Sequence, residues 1–140
     1  MIYITKENLI THSYERFIEE STKDNPLVID QAETENIEIV KSYLSNRYDV
    51  TKTFNPDNPI HSPLLVRILT KLTLYDVFRR NAPRKVNQNI IDDYEEAMRQ
   101  LNQISTGRIV LNELPKPTNE NGTTKSNSIY GNNSNKNFYI

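Results

Sequence analysis

Ser62-Pro63-Leu64-Leu65-Val66-Arg67-Ile68-Leu69-Thr70-Lys71-Leu72-Thr73-Leu74-Tyr75-Asp76-Val77-Phe78-Arg79-Arg80 is the stretch that decides the fold. Serine followed by proline opens a helix, because proline at the first helical position lacks an N–H where no intrahelical partner exists. From Leu64 to Arg80, ten of seventeen side chains are Leu, Val, Ile, Tyr or Phe, which leaves a narrow polar stripe through Arg67, Thr70, Lys71 and Asp76. A helix apolar over most of its circumference belongs in the middle of a bundle. At its end Arg79, Arg80, Arg84 and Lys85 gather where cations meet the negative pole of the helix dipole.

The flanking segments supply the cover. On the N-terminal side Thr5 is an N-cap, and Leu9, Ile10, Tyr14, Phe17 and Ile18 fall at helical spacing on two short helices broken near His12-Ser13. Asp24-Asn25-Pro26 marks a turn, after which Asp30 with Glu33 three residues on forms a capping-box-like start. Ala32, Ile37, Val40, Leu44 and Tyr48 then trace one face of a helix running to about Arg47. The loop Asn55-Pro56-Asp57-Asn58-Pro59 cannot continue it. On the C-terminal side Ile90, Ile91, Tyr94, Ala97, Met98, Leu101 and Ile104 line the inner face of a last helix that Gly107 ends. Arg108-Ile109-Val110-Leu111 reads as a short β-strand that docks on the bundle or on a neighbour. The fold class is therefore all-α: a small bundle of about four to five helices around one central apolar helix.

At Pro115 the composition changes. Residues 1–115 form the helical domain, and residues 116–140 form an extended tail of Asn, Ser, Thr, Gly and Lys. Such a tail buries too little apolar surface to offset its chain entropy, so alone it stays unstructured. Its apolar residues Ile129, Tyr130, Phe138, Tyr139 and Ile140 have no core of their own, which makes them candidate gripping residues for a partner. The domain carries 14 Lys or Arg against 17 Asp or Glu, a net of −3, and the tail three Lys against one Glu, a net of +2. Neither balance is a nucleic-acid footprint, which needs a concentrated basic face to displace counterions from phosphates. No cysteine is present, so disulfides, thiolate zinc sites and cysteine nucleophiles are excluded. No apolar run approaches the roughly 20 residues of a spanning helix, and the Met-Ile-Tyr-Ile start lacks a basic n-region, so a protein made in the cytoplasm with no membrane partner is expected.

Catalytic chemistry finds no constellation. His12 and His61 sit beside predicted breaks, without His-Glu-x-x-His spacing or a triad partner. The pairs Glu19-Glu20, Asp92-Asp93 and Glu95-Glu96 point in different directions along helices and read as solvated surface. Three glycines, none in a strand-to-helix turn, leave no phosphate cradle. The expectation is no enzyme, no cofactor and no metal. For Arg79, Arg80, Arg84 and Lys85 two readings compete: dipole complement at a solvated terminus, or contact with an anionic surface such as a DNA backbone. The second would make the chain a small helical nucleic-acid-binding regulator. Tyr43, Tyr48, Tyr75 and Tyr94 read as helix-face core residues whose hydroxyls reach the rim.

The order of these features resembles the Mu-like prophage connector family, small helical proteins at the head-to-tail junction of tailed bacteriophages. The matching segments are Tyr3-Ile4-Thr5-Lys6-Glu7-Asn8-Leu9, Tyr43-Leu44 followed by Arg47-Tyr48, and Pro63-Leu64-Leu65 leading to Tyr75-Asp76-Val77-Phe78-Arg79-Arg80. Tyr94-Glu95-Glu96-Ala97 through Leu101 to Gly107 completes the set, so the resemblance covers roughly residues 1–114. It implies a structural virion protein: a head-tail adaptor repeated as a homo-oligomeric ring of about a dozen copies. Its neighbours would be the portal protein and a tail or stopper ring protein, with genomic DNA passing through without specific binding. The tail, outside the resemblance, would dock on the portal or an adjacent ring.

Overall fold

The computed structural model describes residues 1–23, 25–80, 85–118 and 122. Among them are six helices and no strand: α1 (Lys6–His12), α2 (Glu15–Thr22), α3 (Val28–Leu44), α4 (Val50–Thr53), α5 (Pro63–Arg79) and α6 (Gln88–Ser105). The central position expected for the Ser62–Arg80 stretch is observed. Helix α5 packs against α1, α2, α3 and α6, and every residue from Ile68 to Leu74 is buried. A helix enclosed on all sides needs apolar side chains around its whole circumference, which this sequence supplies.

Its polar stripe is divided, with Arg67 exposed and Asp76 half-buried. Thr70 and Lys71 are buried, and the Lys71 ammonium is met by Glu96 Oε2 at 2.5 Å and Asp93 Oδ1 at 3.0 Å, both from α6. A buried ammonium persists only with such partners, so these two carboxylates serve the core and are not free surface. Asn36 of α3 likewise donates across to Asp76 Oδ2 of α5 at 2.8 Å.

Two local readings are corrected in mechanism. Ser62 does occupy the N-cap of α5, but its hydroxyl makes no cap bond and instead donates to Glu113 Oε1. Glu33 is not a capping residue, because α3 already begins at Val28. Its carboxylate is buried and accepts the backbone N–H groups of Ile2, Tyr3 and Ile4 at 2.7, 2.7 and 2.8 Å. That clamp lays the N-terminal segment against the bundle. Tyr3 then inserts between Phe54 and His61, its hydroxyl donating to Ile60 O at 2.7 Å and accepting from Ser62 N at 2.8 Å. Burial pushes the Tyr3 phenol up to about 12.

The C-terminal segment is fastened in a matching way. Helix α6 ends in a Schellman turn, with Gly107 N–H donating to Ile104 O and Arg108 N–H to Gln103 O, at a φ of 81° that only Gly107 accepts without strain. The Arg47 Nε–H donates to Ser105 O at 2.8 Å, placing a cation on the negative end of α6. Beyond that turn the expected strand at Arg108–Leu111 does not form. No strand among the described residues offers a ladder, and the Leu111 N–H is taken instead by the Tyr48 hydroxyl at 2.8 Å. Leu111 and Leu114 are buried, and Asp49 N–H donates to Pro115 O at 2.8 Å. The segment thus becomes a strap across the end of the bundle where α3 and α6 stop and α5 starts. No helix among the described residues is long and apolar enough to cross a membrane.

Candidate docking surface

At the opposite end of the bundle, α2 and the α5–α6 junction leave a cleft of about 310 Å³. Its origin is the break after α1. Ser13 is fully extended (φ −154°, ψ 157°), so α2 restarts at a new angle, with Tyr14 at its N-cap and no side-chain cap bond. Helices of 7 and 8 residues turn few side chains toward α5, and only Leu9 and Ile18 are buried. Ile10, Tyr14 and Phe17 share the helical spacing of Leu9 and Ile18 but not their burial. They are 38%, 78% and 42% exposed.

Tyr14 and Phe17, edge to face at 5.8 Å between centroids, make one wall of the cleft. Phe78 from the last turn of α5, Val86, and Ile90 from the first turn of α6 make the other. Helix α6 is fully buried only at Ala97, Leu101 and Ile104, so its N-terminal apolar residues are half-covered. His12 and Lys85 are the basic groups of the lining, to which Ser13, Ser21, Asn87 and Asn89 add uncharged polar surface. Burial lowers the His12 imidazole below its usual range, Asp93 opposes this, and the nearby Lys71 and Arg67 cations add to it. The cleft thus combines apolar walls with a polar share of its lining and one exposed cation, Lys85.

Among the described residues, the basic cluster divides between two clefts. Arg79 lies over the Tyr75 ring at 5.7 Å and 3.9 Å from Asp76 Oδ1, and Tyr75 itself stacks on Tyr94 at 4.1 Å. With Arg80 it lines a second, polar groove of about 300 Å³ that also contains Glu35 and Asp76. Lys85 belongs to the first cleft, and Arg84 lies outside the described residues. Phosphates entering the groove would meet carboxylates beside the guanidinium groups, which weakens the counterion-displacing field that nucleic-acid binding draws on.

The remaining candidates have structural partners. His61 stacks on Tyr3 and its Nε2–H donates to Tyr3 O at 3.1 Å. Of the acidic pairs, Asp93 and Glu96 hold Lys71, whose cation lowers the Glu96 carboxyl below the usual range. Glu20 accepts from Arg16 at 3.0 Å. Tyr48, buried just past α3, uses its hydroxyl to hold the strap. Ile129, Tyr130, Phe138, Tyr139 and Ile140 lie outside the described residues.

The cleft itself has no signature in the spacing. Tyr14 and Phe17 sit at core-like intervals, and the one local signal is that the predicted break at His12-Ser13 leaves each helix too short to bury a full face.

A model of the family described as Bacteriophage Mu, Gp36 matches residues 3–129 of the chain. No curated protein and no solved structure matches it.

Proposed function

We propose that this chain, which belongs to the bacteriophage Mu Gp36 family, is the head-to-tail connector of its virion: an adaptor ring beneath the portal, joined below to a tail or stopper component. The family match over residues 3–129 carries this reading, since it makes the chain a phage protein. The chemistry is compatible with a passage for DNA. A channel wall that gripped phosphates would add an attachment point with every fixed cation, multiplied by the copy number. The domain's net charge of −3 and the pairing of Arg79 with acidic neighbours avoid that.

The tail suits attachment within such an assembly. A weak contact repeated around a ring holds firmly, because after the first subunit engages the others bind at high effective concentration. Its length allows this, as 25 residues span on the order of 80–90 Å when extended at ~3.3–3.6 Å each.

The test is a phage carrying a stop codon at Thr118. The truncated protein is expected to accumulate while DNA-containing heads and unattached tails build up, and purified full-length protein added to the lysate joins them. Normal virions in which the truncated protein occupies the junction would refute the tail's role. Virions from which the full-length protein is absent altogether would refute the connector reading.

A further inference from the structure

We propose that the cleft between α2 and the α5–α6 junction is the receptor for the apolar segment Ile129–Ile140 of a second copy of this chain. The proposal rests on the assembly reading above and narrows the tail's target from the portal or an adjacent ring to a neighbouring subunit.

Three observations select this occupant. The first is the size and chemistry of the slot. At about 310 Å³ it sits at the small end of the ~300–1,000 Å³ range of binding pockets, room for one or two aromatic side chains and not for a helix or a folded domain. Its walls are Tyr14, Phe17, Phe78, Val86 and Ile90, so an entering ring finds offset and edge-to-face partners. A segment with isolated aromatic anchors among polar residues is the matching sequence. Residues 119–140 have that composition: Ile129, Tyr130, Phe138, Tyr139 and Ile140 are their apolar side chains, set among Asn, Ser, Thr, Gly and Lys.

Charge is the second. The tail is net +2 and the domain net −3, while at the slot itself Lys85 is a cation and Glu15 of α2 is paired with Lys6 at 2.8 Å. The opposite net charges favour encounter at long range and add little affinity at the slot.

Geometry is the third, and it allows copies to pair head to tail. The strap leaves the described domain at Thr118, held by Asp49 and by buried Leu111 and Leu114, at the end where α5 begins. The cleft opens where α5 ends, about 25 Å away for a helix of 17 residues rising ~1.5 Å each. Donor and receptor at opposite ends of one subunit make a head-to-tail pairing, in which each copy gives one segment and receives one. That arrangement closes into a ring when its rotation closes. The eleven residue steps from Thr118 to Ile129 span about 36–40 Å when extended, enough to cross to a neighbour and also more than the ~25 Å to the cleft of the same subunit, so the disulfide test has to separate the two.

The absence of cysteine makes the test direct. Full-length Val86→Cys and full-length Tyr139→Cys are purified separately, mixed and mildly oxidised. The expected result is a mixed disulfide dimer forming at least ~10-fold faster than between Tyr139→Cys and Asp57→Cys in the exposed Asn55–Pro59 loop, because docking raises the local thiol concentration. Asn89→Cys, also at the cleft, repeats the measurement at a second position. The double variant Val86→Cys/Tyr139→Cys is expected to give linked oligomers. A rate equal to the control overturns the proposal, as does an intrachain disulfide in monomers of the double variant. Either failure leaves the connector reading intact, since that one is decided by the protein's place in the virion.

Discussion

Removing the Glu33 carboxylate should detach the N-terminal segment and cost the domain a large share of its stability. In Glu33→Ala the Tyr3 and Ile4 N–H groups, both buried, and the half-buried Ile2 N–H lose their acceptor at once. Each stranded buried donor costs about 1–3 kcal/mol, so the two fully buried ones alone amount to roughly 2–6 kcal/mol. The chain has one escape: Met1 to Ile4 can peel off and let water satisfy them. Peeling exposes the Tyr3 and Ile4 side chains, now 1% and 3% exposed, at about 1.5–3 kcal/mol apiece. The two routes cost about the same, so the expected loss is about 3–6 kcal/mol either way, against a total of roughly 5–15 kcal/mol for an ordinary domain. Glu33→Gln keeps an oxygen for Tyr3 and Ile4 but turns an amide NH2 toward the Ile2 N–H, and should lose about 1–2 kcal/mol. Asp30→Asn, at the half-exposed carboxylate that meets the Met1 amino group, should lose under ~1 kcal/mol. Urea denaturation gives the three losses, and hydrogen exchange at Tyr3 and Ile4 identifies the route. A Glu33→Ala protein within about 1 kcal/mol of wild type, with those amides still protected, would sink the argument.

The Lys71 triad predicts an asymmetry: Asp93→Asn with Glu96→Gln strands a buried ammonium and should cost about 3–5 kcal/mol, whereas Lys71→Met, which leaves two part-exposed carboxylates to water, should stay within ~1 kcal/mol by thermal unfolding. Because the Glu96 carboxyl is lowered in the folded protein, its contribution is present above the usual carboxylate range and lost as pH falls through the folded value, so acid unfolding should shift to higher pH in Glu96→Gln. Tyr3, raised from 10 to about 12, works in the other direction: its contribution is full below pH 10 and disappears as pH rises toward 12. Stability measured across that window should fall by roughly 2–3 kcal/mol, with that slope absent in Tyr3→Phe. Gly107→Ala should destabilise by about 1–2 kcal/mol, since the φ of 81° strains any side chain and the new Cβ would lie 2.8 Å from the Arg47 guanidinium. A denaturation midpoint equal to wild type would remove Gly107 from the account of how α6 ends.

What could be read in the sequence was what depends on neighbours along the chain. Ser62-Pro63 and the apolar-rich run after it located α5 and its central place, and the inner faces of α3 and the C-terminal half of α6 followed from their spacing. Misreadings fell where a partner arrives from far away. Glu33 resembled a cap for Asp30, yet its donors lie 29 to 31 residues earlier. Lys71 belonged to a polar stripe until α6 brought Asp93 and Glu96 against it. The apolar run at Arg108–Leu111 suited a strand, but its outcome depended on a tyrosine hydroxyl 63 residues upstream. Tyr14 and Phe17 show the converse. Spacing assigned them a common face without saying whether two helices of 7 and 8 residues, broken at Ser13, have core enough to cover it.

The strap from Arg108 to Thr118 also determines how the domain would respond to tension. A pull on the chain beyond Thr118 reaches the Asp49–Pro115 hydrogen bond first, then Leu114, Glu113 with Ser62, and Leu111 with Tyr48, before it bears on the α6 terminus locked by Gly107 and Arg47. Those attachments lie on different stretches of the chain, so they take the load in succession and α6 is not unwound turn by turn from its end. Tension entering at Thr118 would thus be relieved in small separate releases ahead of any rupture of the core.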